Sequence, residues 1–316
     1  LSDAKDYLIF QLQQKRLQNK NKKIKLKNNK ISWLIPIIYE KEYLKEIRKI
    51  INQYILLTVN KIKPLLKRWN EENKFLQKDS LINDNPDDEL EEFDNDFDEL
   101  DNQIYVKESH ILRNILIGLA LKVGIFNNKQ FNKNLNNKLG ITINLRESWE
   151  EPMIRAWVTR NVGLIKGLTN EYRKKIKDTI LSGFANGETQ QSIAKKLTAI
   201  NNNMSKARSN LIARDQINTI NAQYSQRRMR AVGIEVVIWN SSLDERVRPS
   251  HAVMEGKFCK LDDPTVYADT EDEVINNEWK NRSSIGGVEL HAGMDINCRC
   301  TYLPEYIEIL EEVNND

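Results

Sequence analysis

Between residues 40 and 69 the apolar side chains Leu44, Ile47, Ile51, Ile55, Val59 and Ile62 recur three and four apart. That spacing predicts one helix face, with Pro64 interrupting it. From 104 to 233 the pattern stays helical. "ESHILRNILIGLALKVGIF" reads as an apolar helix ended near Gly124, and "FNKNLNNKLG" as a shorter one stopped by Gly140. A third runs from "SWEEPMI" to "GFANG", with Pro152 near its start and Gly183 and Gly187 near its stop. "ETQQSIAKKLTAI" is a fourth helix, and "MSKARSNLIARDQINTINAQYSQRRMRAVG" a long one closed by Gly233. In this last helix Ile217, Ile220 and Tyr224 mark a buried stripe. Arg214 and Asp215 precede the stripe. They are either a polar network docking the helix onto the C-terminal module or an ordinary surface pair.

After Gly233 the pattern changes. "IEVVIWN" is rich in β-branched residues and reads as a strand. Turn residues, a short strand at "KFCKL", a polar segment, "GGVEL" and "NCRCTYL" come next. The expected fold is therefore α+β: largely helical N-terminal and middle regions with a small mixed α+β C-terminal module. The segments are 1–78, a basic arm and helical region; 79–103, an acidic linker; 104–233, helical; 234–303, the module; and 304–316, an acidic tail ending in a frayed helix.

Charge is unevenly spread. The chain has 316 residues and a net charge of only +3. Yet residues 7–39 hold no acidic side chain, and 15–30 carry eight basic ones: Lys15, Arg16, Lys20, Lys22, Lys23, Lys25, Lys27 and Lys30. Clustered cations without nearby acid suit phosphate neutralisation, so a flexible arm on double-stranded DNA is the functional reading, and a solvated segment the bland one. Only Tyr7, Phe10 and Trp33 lie near, which does not suggest base stacking. Residues 79–102 hold twelve Asp or Glu, a run that repels itself. "DNPDD" at 84–88 lacks the glycine and closing glutamate of a calcium loop. Three cysteines cannot form a secreted disulfide framework, and the odd number fits a reducing setting. The opening residues lack signal-peptide order. No apolar run is expected to approach the roughly 18–20 residues of a membrane span.

Candidate chemistry gathers at the end of the chain. Asp244, Arg246, Arg248, His251, His291, Asn297, Cys298, Arg299 and Cys300 fall within "SSLDERVRPSHAVMEGKFCKL" and "HAGMDINCRC". A structural zinc would take four Cys or His ligands. His251, His291, Cys298 and Cys300 supply them, with Cys259 in reserve, and Cys-x-Cys on a strand puts both thiols on one face. A His–Asn–His nuclease would use His251 and His291 around Asn276 and Asn277, but no helix carrying the second histidine is evident. A thiolate nucleophile would pair Cys298 or Cys300 with His251. The fourth reading is a compact module without a cofactor. Its cysteines fill a small core, and Arg246 and Arg248 pair with Asp244, Asp295 or backbone carbonyls.

"ARDQINTINAQYSQRRMRAVGIEVVIWNSSLDERVRPSHAVMEGK", with "HAGMDINCRC" after it, resembles the C-terminal domain of the phage Mu F-like minor head proteins, also called phage head morphogenesis proteins. Trp239, the Asp-x-Arg-x-Arg-x-x-His run from Asp244 to His251, Gly256, and Asn297-Cys298-Arg299-Cys300 fit the family pattern. The triplet Arg214-Asp215-Gln216 departs from Arg-Thr-Glu at two positions, and Ala292 stands where proline is usual. The match covers roughly 185–303. Some members carry Cys-x-x-Cys where this chain has Arg248 and His251, and some related domains are fused to toxins. The resemblance implies a non-enzymatic minor capsid protein inside the virion, made in the host cytoplasm. It implies contact with portal, scaffold or major capsid protein, or with packaged DNA, during head assembly or genome ejection. Asp244, Arg246, Arg248, His251, Asn297 and Arg299 are then its structural polar cluster. A metal-dependent enzyme acting on nucleic acid and a DNA-binding structural protein without a portal role are the alternatives.

Overall fold

The computed structural model describes residues 2–20, 22–29, 31, 33–71, 86–144, 147–186, 188, 190–203, 205–242 and 244–315. Among the described residues six helices precede the sheet: α1 (Ser2–Gln18), α2 (Ile37–Glu71), α3 (Pro86–Leu139), α4 (Glu150–Ala185), α5 (Gln190–Asn203) and α6 (Ser205–Ala231). Then come β1 (Val236–Asn240), α7 (Pro249–Ala252), β2 (Phe258–Lys260), β3 (Val266–Ala268), α8 (Glu271–Ile275) and β4 (Lys280–Asn281). A 3₁₀ turn (Arg282–Ile285), β5 (Thr301–Pro304) and α9 (Ile307–Asn315) close the chain. The fold is α+β, with a helical N-terminal and middle region and a small sheet near the C-terminus.

Compactness does not track chain order. One unit gathers Leu1–Glu40, Ala120–Glu151 and Arg214–Asp316, and the other Lys41–Leu119 and Pro152–Ala213. The expected helical region 104–233 is thus shared between both, and the module shares its unit with the first forty residues.

In the second unit Ile47 and Ile51 of the α2 pattern are buried and Leu44 is half-buried, and Tyr43 and Ile50 beside them are buried too. Tyr43 donates to Asn161 Oδ1 at 2.6 Å, and its ring lies 5.9 Å from Trp157. Pro64 lies inside α2, which continues to Glu71. Within the acidic stretch expected as a linker at 79–103, residues 86–103 are helical, and 79–85 lie outside the described residues. Pro86 stands at the first helical position of α3.

The two helices expected around Gly124 are one. In the first unit a Cβ at Gly124 would stand 2.6 Å from the Tyr224 hydroxyl and 2.9 Å from Glu150 Oε1. The glycine admits a close neighbour and does not stop the helix. Gly140, at φ +70°, does end it. Residues 110–139 of α3 are long and apolar enough, by length and composition, to cross a membrane, which corrects the expectation of no such run. On this stretch Leu112, Leu116, Leu119, Ala120 and Val123 are buried, whereas Ile111, Ile117, Leu121 and Ile125 are exposed.

The sheet order is β4-β3-β2-β1-β5, antiparallel throughout. β1 lies between β2 and β5: Val237 faces Cys259 on one side and Pro304 on the other, and Trp239 faces Tyr302. "GGVEL" forms no strand, and Asn297–Cys300 form a turn and an extended lead into β5 rather than a strand. Two left-handed residues bend this stretch, Gly293 at φ +80° and Asn297 at φ +58°. The acidic tail is docked: Ile309 and Val313 of α9 join the core of the first unit with Leu8, Leu12 and Trp239.

Candidate metal centre

α7 is a single turn begun by Pro249, and it presents His251 to the interior. The ring sits edge-on to Trp239 at 5.8 Å. Its Nε2 meets Asp295 Oδ2 at 3.0 Å. Asp295 also accepts from Arg248 Nη1, and Arg248 Nη2 donates to the Ile296 carbonyl at 2.7 Å. On the other side, His251 Nδ1 lies 3.4 Å from Cys298 Sγ and 3.5 Å from Cys300 Sγ. The Cys300 backbone N–H donates to Cys298 Sγ at 3.4 Å. All three residues are buried.

α6 holds the turn that delivers the cysteines. Asp215 Oδ1 accepts from the Asn297 backbone N–H at 2.7 Å, and Arg214 Nη1 donates to Asn297 Oδ1 at 3.2 Å. Of the two readings of this pair, the structure has the docking network. A Cβ at Gly293 would stand 2.6 Å from Ala222 Cβ, so the turn lies flat on α6.

The interactions with sulfur set the electrostatics. The hydrogen bond from Cys300, then that from His251, draws the Cys298 thiol below its ordinary value against the effect of burial. Cys300, paired with that sulfur, is raised. His251 is raised, first by Cys298 and further by Asp295, with burial opposing. Burial pushes Cys259 up to about 11.

His291 does not join the cluster: its Nδ1 faces the Tyr302 hydroxyl at 3.3 Å, which corrects the four-ligand zinc set. Cys259 lies on β2, its thiol 3.6 Å from the Lys257 carbonyl. Asp244 stands 3.7 Å from Arg299 Nη1 and accepts from the Arg246 backbone N–H at 3.1 Å. The Arg246 side chain lines a cavity of about 140 Å³ over the cluster. Asn277, at φ +58°, closes α8.

The basic arm is not a free strap where described. Lys15 donates to the Leu139 carbonyl, Arg16 to the Val313 carbonyl at 2.8 Å, and the Lys27 N–H to the Lys138 carbonyl at 3.0 Å. Ile24 is buried and exchanges two hydrogen bonds with Asn314. Lys20, Lys22, Lys23, Lys25 and Lys27 remain exposed; Lys30 lies outside the described residues.

Two buried arginines carry no pattern that would have announced them. Arg228 pairs with Glu147, donating from Nη2 at 2.6 Å, and with Asn127 at 2.6 Å. Arg282 donates to the carbonyls of Val266, Val288 and Leu290 and lies over Trp239 at 5.5 Å. Their sequence neighbours, Arg227 and Met229 for one and Asn281 and Ser283 for the other, gave no sign of burial.

The cluster lies within the stretch shared with known proteins. Residues 174–303 match the family model described as Phage Mu protein F like protein, so this part of the chain is a Mu F-like region. The match begins before the expected 185 and runs through α6 and the sheet. Over 194 residues the chain is 30% identical to an uncharacterized protein of Haemophilus influenzae, covering 60% of this chain and 38% of that protein. The chain therefore spans well under half the length of that relative. No solved structure matches it. The family suggests phage head morphogenesis and association with the virion.

Proposed function

We propose that this protein is a non-enzymatic minor head protein. It lies inside the capsid, after a period in the host cytoplasm, and contacts portal, scaffold or major capsid protein during head assembly or genome ejection. The match of residues 174–303 to the Mu F-like family carries this reading. The docked termini fit a structural role, since they close one core around the module. The exposed lysines Lys20, Lys22, Lys23, Lys25 and Lys27 leave a cationic strip for packaged double-stranded DNA.

Particle purification tests it. The protein should co-purify with portal and capsid proteins in stoichiometric low copy, and cross-links should map to it from the portal. Loss of the gene should give defective heads or particles that fail to eject. Steep salt-dependent DNA binding without portal co-purification would favour a DNA-binding protein with no portal role. Metal-dependent DNA cleavage lost in His251→Ala would replace the structural reading with an enzymatic one.

A further inference from the structure

We propose that His251 Nδ1, Cys298 Sγ and Cys300 Sγ bind one zinc ion, with solvent from the overlying cavity in the fourth position.

The geometry carries this. Zinc–sulfur bonds of about 2.3 Å and zinc–nitrogen bonds of about 2.0–2.1 Å at tetrahedral angles give a sulfur–nitrogen edge of about 3.5 Å. The two observed edges are 3.4 and 3.5 Å, and all three donor atoms lie within 4.8 Å of one another. One imidazole nitrogen has a single proton or a single lone pair, so it cannot satisfy two sulfurs at once. A cation between them satisfies all three donors.

The surroundings are those of a ligand set. A metal-bound histidine usually gives its other ring nitrogen to a carboxylate. Here Asp295 takes that place, itself held by Arg248. The Cys300 N–H to Cys298 Sγ contact supports a thiolate. Two thiolates and one divalent cation sum to zero charge beside a neutral imidazole, which suits side chains this deeply buried. Soft sulfur donors select zinc over magnesium or calcium.

The fourth position faces the cavity of about 140 Å³, which is also lined by Arg214, Arg246 and Arg248. There is room for water, and the arginines favour an anion in its place.

The full chain, purified without chelator and kept reduced, should carry zinc equal to the protein concentration by elemental analysis. Cobalt titration of stripped protein should give thiolate-to-cobalt charge transfer and the visible bands of a tetrahedral site. Cys298→Ser and Cys300→Ser should each lose both signals, while His291→Ala keeps them. Asp295→Asn should weaken zinc affinity by about 10–100-fold. The cobalt spectrum of the unmutated chain decides the matter even where a variant fails to fold. Sub-stoichiometric zinc after expression in zinc-rich medium, with no charge-transfer band, overturns the proposal. Zinc retained in the Cys298→Ser, Cys300→Ser double variant overturns the ligand assignment. Neither result bears on portal co-purification, so zinc binding and the head-protein reading fail independently.

Discussion

His251 and His291 sit at opposite ends of one aromatic chain. His251 packs edge-on to Trp239, Trp239 edge-on to Tyr302 at 5.7 Å, and Tyr302 edge-on to His291 at 6.0 Å. At one end are two sulfurs and a carboxylate; at the other are cations. Arg230 and Arg282, added to burial as the leading cause, push His291 down to about 4, and the more weakly acting Asp262 and Asp263 oppose them. His251 is instead held above its ordinary value by Cys298 and Asp295. Two histidines sharing one aromatic core thus have opposite chemistry. Burial leads at His291 and the nearby cations add to it, whereas at His251 Cys298 and Asp295 outweigh burial.

Removing Arg282 should break the contrast most severely. Its guanidinium donates to three carbonyls and is fully buried. Arg282→Met should cost at least about 3 kcal/mol, at roughly 1–3 kcal/mol for each of the three carbonyls left without a donor. Urea unfolding measures the loss. In any folded fraction the His291 titration should move up toward its ordinary value, visible in its ring proton shifts. An unmoved titration would mean that burial alone sets it.

Acid should then separate the two ends. The folded-state value of His291, about 4, lies below the ordinary value of 6.5, so the native state binds fewer protons than the unfolded chain there. The contribution is fully present above pH 6.5 and is lost as pH falls toward 4. His291→Gln should flatten the decline in stability between those limits relative to the unmutated chain, and leave the curve above pH 6.5 unchanged. The subtraction removes the carboxylates that titrate in the same range. A parallel pair of curves would show His291 to be solvated.

Much of the module was legible in the sequence because its signals are local. β-branched residues announced β1, and the turn residues after it marked the stretch that carries Arg248 and His251. "HAGMDINCRC" misled in one respect. It put His291 next to the cysteines in sequence, whereas Gly293 and Asn297 bend the chain so that His291 turns to Tyr302 and Asp295 turns to His251. Backbone conformation at two residues outweighed proximity along the chain. Gly124 shows the same limit, since a glycine for close approach and one for helix termination look alike without knowing what stands opposite. Arg228 and Glu147 lie 81 residues apart and carry no periodic mark, so only folding brings them together. The acidic run read as a linker because like charges repel, yet its residues from 86 onward are helical.

The finest test concerns the residue that aims the cysteines. Asn297 combines a left-handed backbone, a backbone N–H held by Asp215 and a side-chain oxygen held by Arg214. Asn297→Gly keeps the first two and loses the third, and should cost about 0.5–1.5 kcal/mol, the net worth of one hydrogen bond. Asn297→Ala also forces a Cβ without local hydrogen bonding into the left-handed region, adding about 1–2 kcal/mol. The difference between the two variants isolates backbone strain from the Arg214 contact. It should also appear as zinc affinity, because a relaxed turn at 297 moves Cys298 away from His251 Nδ1. If glycine and alanine behave alike, the turn is held by Asp215 and Gly293 alone, and Asn297 only decorates it.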